Sequence, residues 1–486
     1  MPLFKRGTKS SKTKTVRVGI QTPIQTLDPR EAQDSVSVFA LLQIYETPFR
    51  DPEGGDSPRP VLFEGPLRST DDKGTLFRGR VRPGIRFSDG SPLTADRLAD
   101  SLSRSQELTR QARIRVEGDD VVFELERPNP RFNLVLTQAY TAVTLATGEE
   151  LLGTGAFVRA PDSTDERLRL TRNPEFHGTS AIEEVIFQHY PSDPGGWPTA
   201  LLEALESGEV DFSNALSREE VKELTSVRKW FQPGASTTSL YFNVQRSYLS
   251  SRAVRHALAL ALDRSELTKI SYENALAFTA TSLLPPVMGS WRDGLAHRPD
   301  RARTVLGDSG IELPPRLRLL TVWGPRPYLP YPRRTGEMIG DQLAANLGID
   351  GVEVRPSDDG DDFYARGCDG NYDLVLGGWI ADTPDPADFL EANLASGSVP
   401  ERDKSPAIRM NMGHWKDPET DEALRAYRRR PGDDTKNAVL QRVADEIPLL
   451  PIMYGPTIAV HSYGLRGFEP TPIGFPRFSE LDVDPS

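Results

Sequence analysis

Apolar and polar positions first alternate at Val16-Arg17-Val18-Gly19-Ile20, and this period of two predicts a strand. Leu27-Asp28-Pro29 follows as a turn, because proline fixes φ and aspartate accepts local backbone bonds. Phe39 to Tyr45 reads as a short apolar helix. Leu76 to Val81 and Val121 to Leu125 alternate like strands, and between them Pro92 to Leu98 opens a helix with Thr94 at its N-cap. Alternation returns over 153–243 and ends in Ser239-Leu240-Tyr241-Phe242-Asn243. A helix starting near Ser250 then carries Val254, Leu258, Ala261 and Leu262 at helical spacing.

From 316 to 378 the period switches repeatedly. The apolar run Leu317 to Trp323 predicts a strand, and Arg333 to Leu347 a helix stopped by Gly348 in the C′ position. A further strand follows, and then Tyr372 to Leu376. Helices are expected over Pro418 to Arg429 and Lys436 to Ile447, the second stopped by Pro448. Leu449 to Tyr454 is an apolar strand interrupted by proline.

Strands that alternate with a helix favour a largely parallel sheet, whose ligands sit beyond the carboxyl ends of the strands. Two such ends carry opposite charges: Arg326-Pro327-Tyr328 after the first strand, and Trp379-Ile380-Ala381-Asp382 after the third. A cation and an anion at one crevice suit a zwitterion, with an amine for Asp382 and a carboxylate for Arg326. The two ends of a peptide have that chemistry.

Length adds the expectation of more than one core, since 486 residues exceed an ordinary domain. The texture divides the chain into a disordered basic tail over 1–14 and an α+β insert over 48–152. One lobe is expected from 15–47, 153–243 and 466–486, and a second from 244–465. A lobe that is left and re-entered implies two hinge crossings.

Charge narrows the partners. The net charge is −12, and Lys5, Arg6, Lys9, Lys12 and Lys14 lie in the first fifteen residues. About −17 is left for the rest, a surface that repels phosphate backbones and argues against nucleic acid. No apolar run approaches a membrane span. The N-terminus shows neither an apolar signal core nor a lipidatable cysteine, so as written the chain is expected in the cytoplasm.

Motifs in order along the chain resemble the peptide-binding branch of the ABC-transporter solute-binding proteins, family 5 type. Leu27-Asp28-Pro29 and Tyr45-Glu46 resemble its opening pattern. The segment Val81-Arg82-Pro83-Gly84-Ile85-Arg86-Phe87-Ser88-Asp89-Gly90-Ser91-Pro92-Leu93-Thr94-Ala95 is similar to its strongest signature. Gly153 to Phe157, Arg172 to Phe176, Phe242-Asn243, Val254 to Leu258, Ala261 to Arg264 and Pro285-Pro286 follow in family order.

The resemblance implies a bilobed, periplasmic-binding-protein-like α/β fold with an additional α+β domain inserted near the N-terminus. It implies capture of a dipeptide or oligopeptide by hinge closure, delivery to an ABC permease, an extracytoplasmic location and a monomer. It assigns the ligand carboxylate to Arg326 and the ligand amine to Asp382. Beside them, with Ala381, Trp379 and Tyr328 read either as apolar walls of the pocket or as ordinary core. His177 replaces a family tryptophan, and the insert is trimmed near Arg104.

Enzymatic readings find little support. Gly307-Asp308-Ser309-Gly310 imitates a protease nucleophile motif but reads as a helix C-terminal turn with no matching histidine. The six histidines show no paired spacing for zinc, and no glycine-rich phosphate loop is present, so no cofactor is expected. The single cysteine, Cys368, excludes an internal disulfide and reads as a loop residue. The competing reading is a cytoplasmic peptide or small-ligand sensor reusing the same fold.

Overall fold

The computed structural model describes residues 13–484 apart from 33, 51–56, 72, 149, 165, 194–196, 273–274, 290, 325, 327, 382–384, 403–408 and 470–474. The fold is mixed α/β, and the chain divides into two compact units. One unit holds 1–128, 132–230 and 458–486; the other holds 129–131 and 231–457.

The first unit is built on β1 (Thr15–Ile20), β2 (Phe157–Arg159), β3 (Arg167–Arg172), β4 (Glu184–His189) and β5 (Phe212–Ser213). β1 lies parallel to β4 along its whole length, from Thr15 opposite Glu184 to Ile20 opposite His189. β3 pairs antiparallel with both β4 and β2. The inward residues Val16 and Val18 are fully buried with Phe39, Phe187, Phe212 and Phe478. Phe39 meets Phe187 edge to face with centroids 5.2 Å apart, a favoured aromatic geometry.

The same unit contains a second core. Strands Arg68–Ser69, Leu76–Arg80, Asp120–Leu125 and Ala112–Glu117 form a sheet in that order. The helix Ala95–Ser103 starts at Thr94, whose hydroxyl accepts from the Arg97 amide at 3.3 Å, as the cap reading expected. Phe63, Phe77, Phe123 and Phe132 fill the centre.

The second unit contains β6 (Val227–Phe242, from 231 on), β7 (Leu317–Thr321), β8 (Val352–Pro356), β9 (Leu374–Ile380) and β10 (Leu449–Ser462, up to 457). Their order is β10-β6-β9-β7-β8. β7 is parallel to both β8 and β9, as the strand–helix alternation predicts, whereas β6 is antiparallel to β9. The connection from β7 to β8 is the helix Pro332–Leu347, with proline in its first turn and Gly348 left-handed at φ 75. Gly336 and Gly340 face Val354 and Val352, and Val352 leaves no room for a β-carbon on Gly340.

The opposite, N-terminal edge of these strands is tied by charge. Buried Asp373 accepts from the Arg318 amide at 2.7 Å and from the Tyr248 hydroxyl at 2.6 Å. Burial alone pushes its carboxyl up, but Arg318 and Tyr248 outweigh that and hold it below the usual range.

Two local expectations change. Cys368 lies in the helix Gly360–Asp369, not in a loop; Gly367 and Gly370 around it hide the helical period, and Gly370 ends the helix at φ 61. Burial raises its thiol, so it is less reactive than a free cysteine. The Gly307–Gly310 segment does close a helix, but the helix Pro299–Ser309 runs through it to Gly310 at φ 64. The Ser309 hydroxyl donates to the Leu306 carbonyl at 2.6 Å, which is a terminal-turn bond.

Candidate functional site

β7 and β9 are adjacent and parallel, with Thr321 opposite Leu376, so their carboxyl ends emerge at the same edge of the second unit. The chain leaving β7 folds back at once. The amide of Arg326 donates to the Leu329 carbonyl at 3.0 Å, and the Leu329 amide returns a bond to Arg326 at 2.9 Å. Such a reciprocal pair closes a tight turn. Leu329 is fully buried beneath it. The Thr238 hydroxyl on β6 donates to the Tyr328 carbonyl at 2.6 Å and fixes the turn to the sheet.

The Arg326 guanidinium stands over the Trp323 ring, its central carbon 3.6 Å from the ring centroid. Among the described residues no carboxylate pairs with it and no carbonyl accepts from it. Burial holds it below the usual arginine range, and only the Tyr328 hydroxyl opposes that. Arginine nevertheless stays charged near neutrality. With one face on an indole and no internal anion, its in-plane N–H groups suit a planar two-oxygen anion. Other arginines of the same unit differ: Arg264 is paired with Asp293, and Arg318 with Asp373.

Tyr328 is only 9% exposed. Its ring lies across Gly378 on β9, where a β-carbon would fall 2.7 Å from the ring and 2.7 Å from the Thr237 carbonyl. Its α-carbon lies equally close to Gly455, at 2.8 Å from a β-carbon built there. Glycine inside a strand marks such close approach. Tyr328 therefore belongs to the floor beneath Arg326 rather than to an open wall, and burial raises its phenol.

Along β9, Trp379 sits opposite Thr237 and is partly buried against the core, while Ile380 sits opposite Ser236 and is 47% exposed. The Ala381 amide donates to the Ala235 carbonyl at 2.8 Å, which extends the pairing up to the residue before Asp382. Asp382 itself lies outside the described residues. Asp385 caps the helix Pro386–Leu394 by accepting from the Ala387 amide at 2.9 Å. The four described site residues thus share one unit and one sheet edge.

Trp323 was visible in the sequence only as the end of an apolar run. Its 40% exposure and its stacking on Arg326 assign it to the site. An aromatic placed two residues beyond a buried strand was the available signal. His177 turns elsewhere: its Nε2 lies 2.9 Å from buried Glu46 in the first unit. Among the described residues no group of three or more histidine, cysteine, aspartate or glutamate side chains is arranged to hold a metal ion.

Comparison with known proteins gives a consistent family. Residues 57–400 match the family model of bacterial extracellular solute-binding proteins, family 5, middle. The chain is 27% identical over 399 residues to the probable ABC transporter periplasmic-binding protein SapA of Escherichia coli strain K12, covering 75% of this chain and 68% of that one. It is 25% identical over 393 residues to the dipeptide-binding protein of the same strain, covering 76% and 71%. The structure of HbpA2 from Haemophilus parasuis superposes with a TM-score of 0.82 at 20% identity, over 97% of this chain and 100% of that one.

Proposed function

Because the chain belongs to the family 5 bacterial extracellular solute-binding proteins, which bind and do not catalyse, we propose that it captures dipeptides or short oligopeptides for ABC-importer uptake. The family is extracytoplasmic, and among the described residues no helix is long and apolar enough to cross a membrane. The peptide assignment draws support from the similarity to the dipeptide-binding protein.

The observation that carries the reading is the guanidinium of Arg326 at the carboxyl edge of β7, which has no acid partner among the described residues. A partly buried cation without an internal anion is held at a cost, and a ligand carboxylate offsets it. In this reading Arg326 takes the peptide carboxylate and Asp382 the peptide amine. Trp379 and Ala381 border the bound chain, and Tyr328 supports it from below. The two compact units act as lobes that close on the peptide, since the chain passes between them at 230/231 and at 457/458, besides the short excursion of 129–131.

The test is a thermal-shift series with di- to pentapeptides, each compared with its N-acetylated and C-amidated forms. A free peptide at about a hundred times its Kd stabilises by roughly 2.7 kcal/mol, a readily measured shift. The expected result is stabilisation by free peptides that each end-block weakens. Equal stabilisation by free and blocked peptides would remove the end-group roles, and no shift with any peptide would remove the peptide assignment.

A further inference from the structure

We propose that Trp323 is a positioning residue that pre-orients Arg326 for a ligand carboxylate, which makes the free carboxyl end the feature this site selects most sharply. The proposal rests on the peptide-capture reading above and adds a residue to it.

Arginine owes its advantage over lysine at a carboxylate to its planar fork, which forms two parallel bonds only when its plane is fixed. A free arginine side chain is spread over many rotamers and must be ordered when the ligand arrives. Here the ordering is done beforehand. The guanidinium carbon lies 3.6 Å from the Trp323 centroid, so the indole restrains the side chain before a ligand arrives. That contact is also an attraction between a cation and the negative face of a ring.

The indole has a support of its own. A β-carbon on Gly360, at the start of the helix Gly360–Asp369, would lie 3.1 Å from the far edge of the Trp323 ring. The absence of a side chain there lets the indole lie close to the helix. Behind the arginine, the reciprocal bonds with Leu329 and the Thr238 bond to Tyr328 hold the backbone. Guanidinium, indole and turn are each fixed by a different neighbour. At 40% exposure Trp323 is open to solvent on part of its surface, so the stacked pair lies where a ligand can approach.

The experiment uses the full chain and isothermal titration with one dipeptide as the free acid and as the C-terminal amide. Wild type, Trp323→Phe and Trp323→Ala are compared, with thermal melting as the check on folding. Trp323→Ala is expected to weaken the free acid about tenfold and to leave the amide within about twofold, with Trp323→Phe falling between. Loss of the preference for acid over amide is the readout that a merely structural role would not move.

If Trp323→Ala weakens acid and amide equally, or neither, the positioning role is overturned while peptide capture stands. If no free-acid dipeptide binds the wild type, capture of dipeptides fails and the inference falls with it.

Discussion

Among the described residues Arg326 has an aromatic face for a partner instead of an acid, unlike Arg264 and Arg318 of the same unit. An ammonium in its place would keep the charge and lose both the stack and the two-point geometry. Arg326→Lys is therefore expected to weaken a free dipeptide by about tenfold or more, and Arg326→Ala further. Asp382→Asn should cost a similar factor for peptides with a free amine and nothing for N-acetylated ones. Titration of the free, N-acetylated and C-amidated forms checks this, and equal losses for free and blocked ends would contradict the assignment. At this scale much was legible in the sequence. The charge of Arg326 and its place after an apolar strand suffice to propose an anion site. Its partner was not legible, because a face-on contact three residues back carries no periodic signature. Tyr328 was ambiguous for a related reason: the same aromatic type serves wall and floor, and only the two glycines beneath it decide.

Those glycines belong to strands, and their effect is exerted through β9 and β10. Gly378 stands where the Tyr328 ring and the Thr237 carbonyl leave no space for a methyl group. Gly378→Ala should force the turn away from the sheet, at a cost of about 2 kcal/mol from overpacking. The ligand should suffer as well, because Arg326 rides on the same turn. Urea denaturation gives the first quantity and dipeptide titration the second. A variant with unchanged midpoint and affinity would show that the floor yields without moving the arginine. Element identity was largely readable from period: the helix Pro332–Leu347 and its Gly348 stop and the Thr94 cap stand where the pattern places them, and the strand Leu374–Ile380 overlaps the expected Tyr372 to Leu376. Extent was read less well. β10 runs from Leu449 through Pro451 and Pro456 to Ser462, although proline removes a ladder donor and suggests interruption. The helix holding Cys368 was missed because glycines and aspartates mask its buried face, of which Phe363 and Gly367 are the buried positions.

Over the whole molecule, the described site residues fall in one unit, 231–457, and Asp382 falls there by its position in the chain. That distribution constrains the closure proposed above. A ligand shifts a conformational equilibrium only by its differential affinity for the two states. Moving a population from mostly open to mostly closed takes about a 10⁴-fold preference. Contacts confined to the second unit are the same in both states and supply none of it. Closure therefore requires groups of the first unit to meet the bound peptide, and affinity and closure become separable. Small-angle scattering with and without saturating free dipeptide measures this directly. Compaction on binding is expected for the wild type. Trp323→Ala, saturated at higher peptide concentration, should reach the same compact state, because the residue it removes acts within one unit. A peptide that binds at Arg326 without compaction would place capture in the second unit alone and rule out hinge closure as its mechanism.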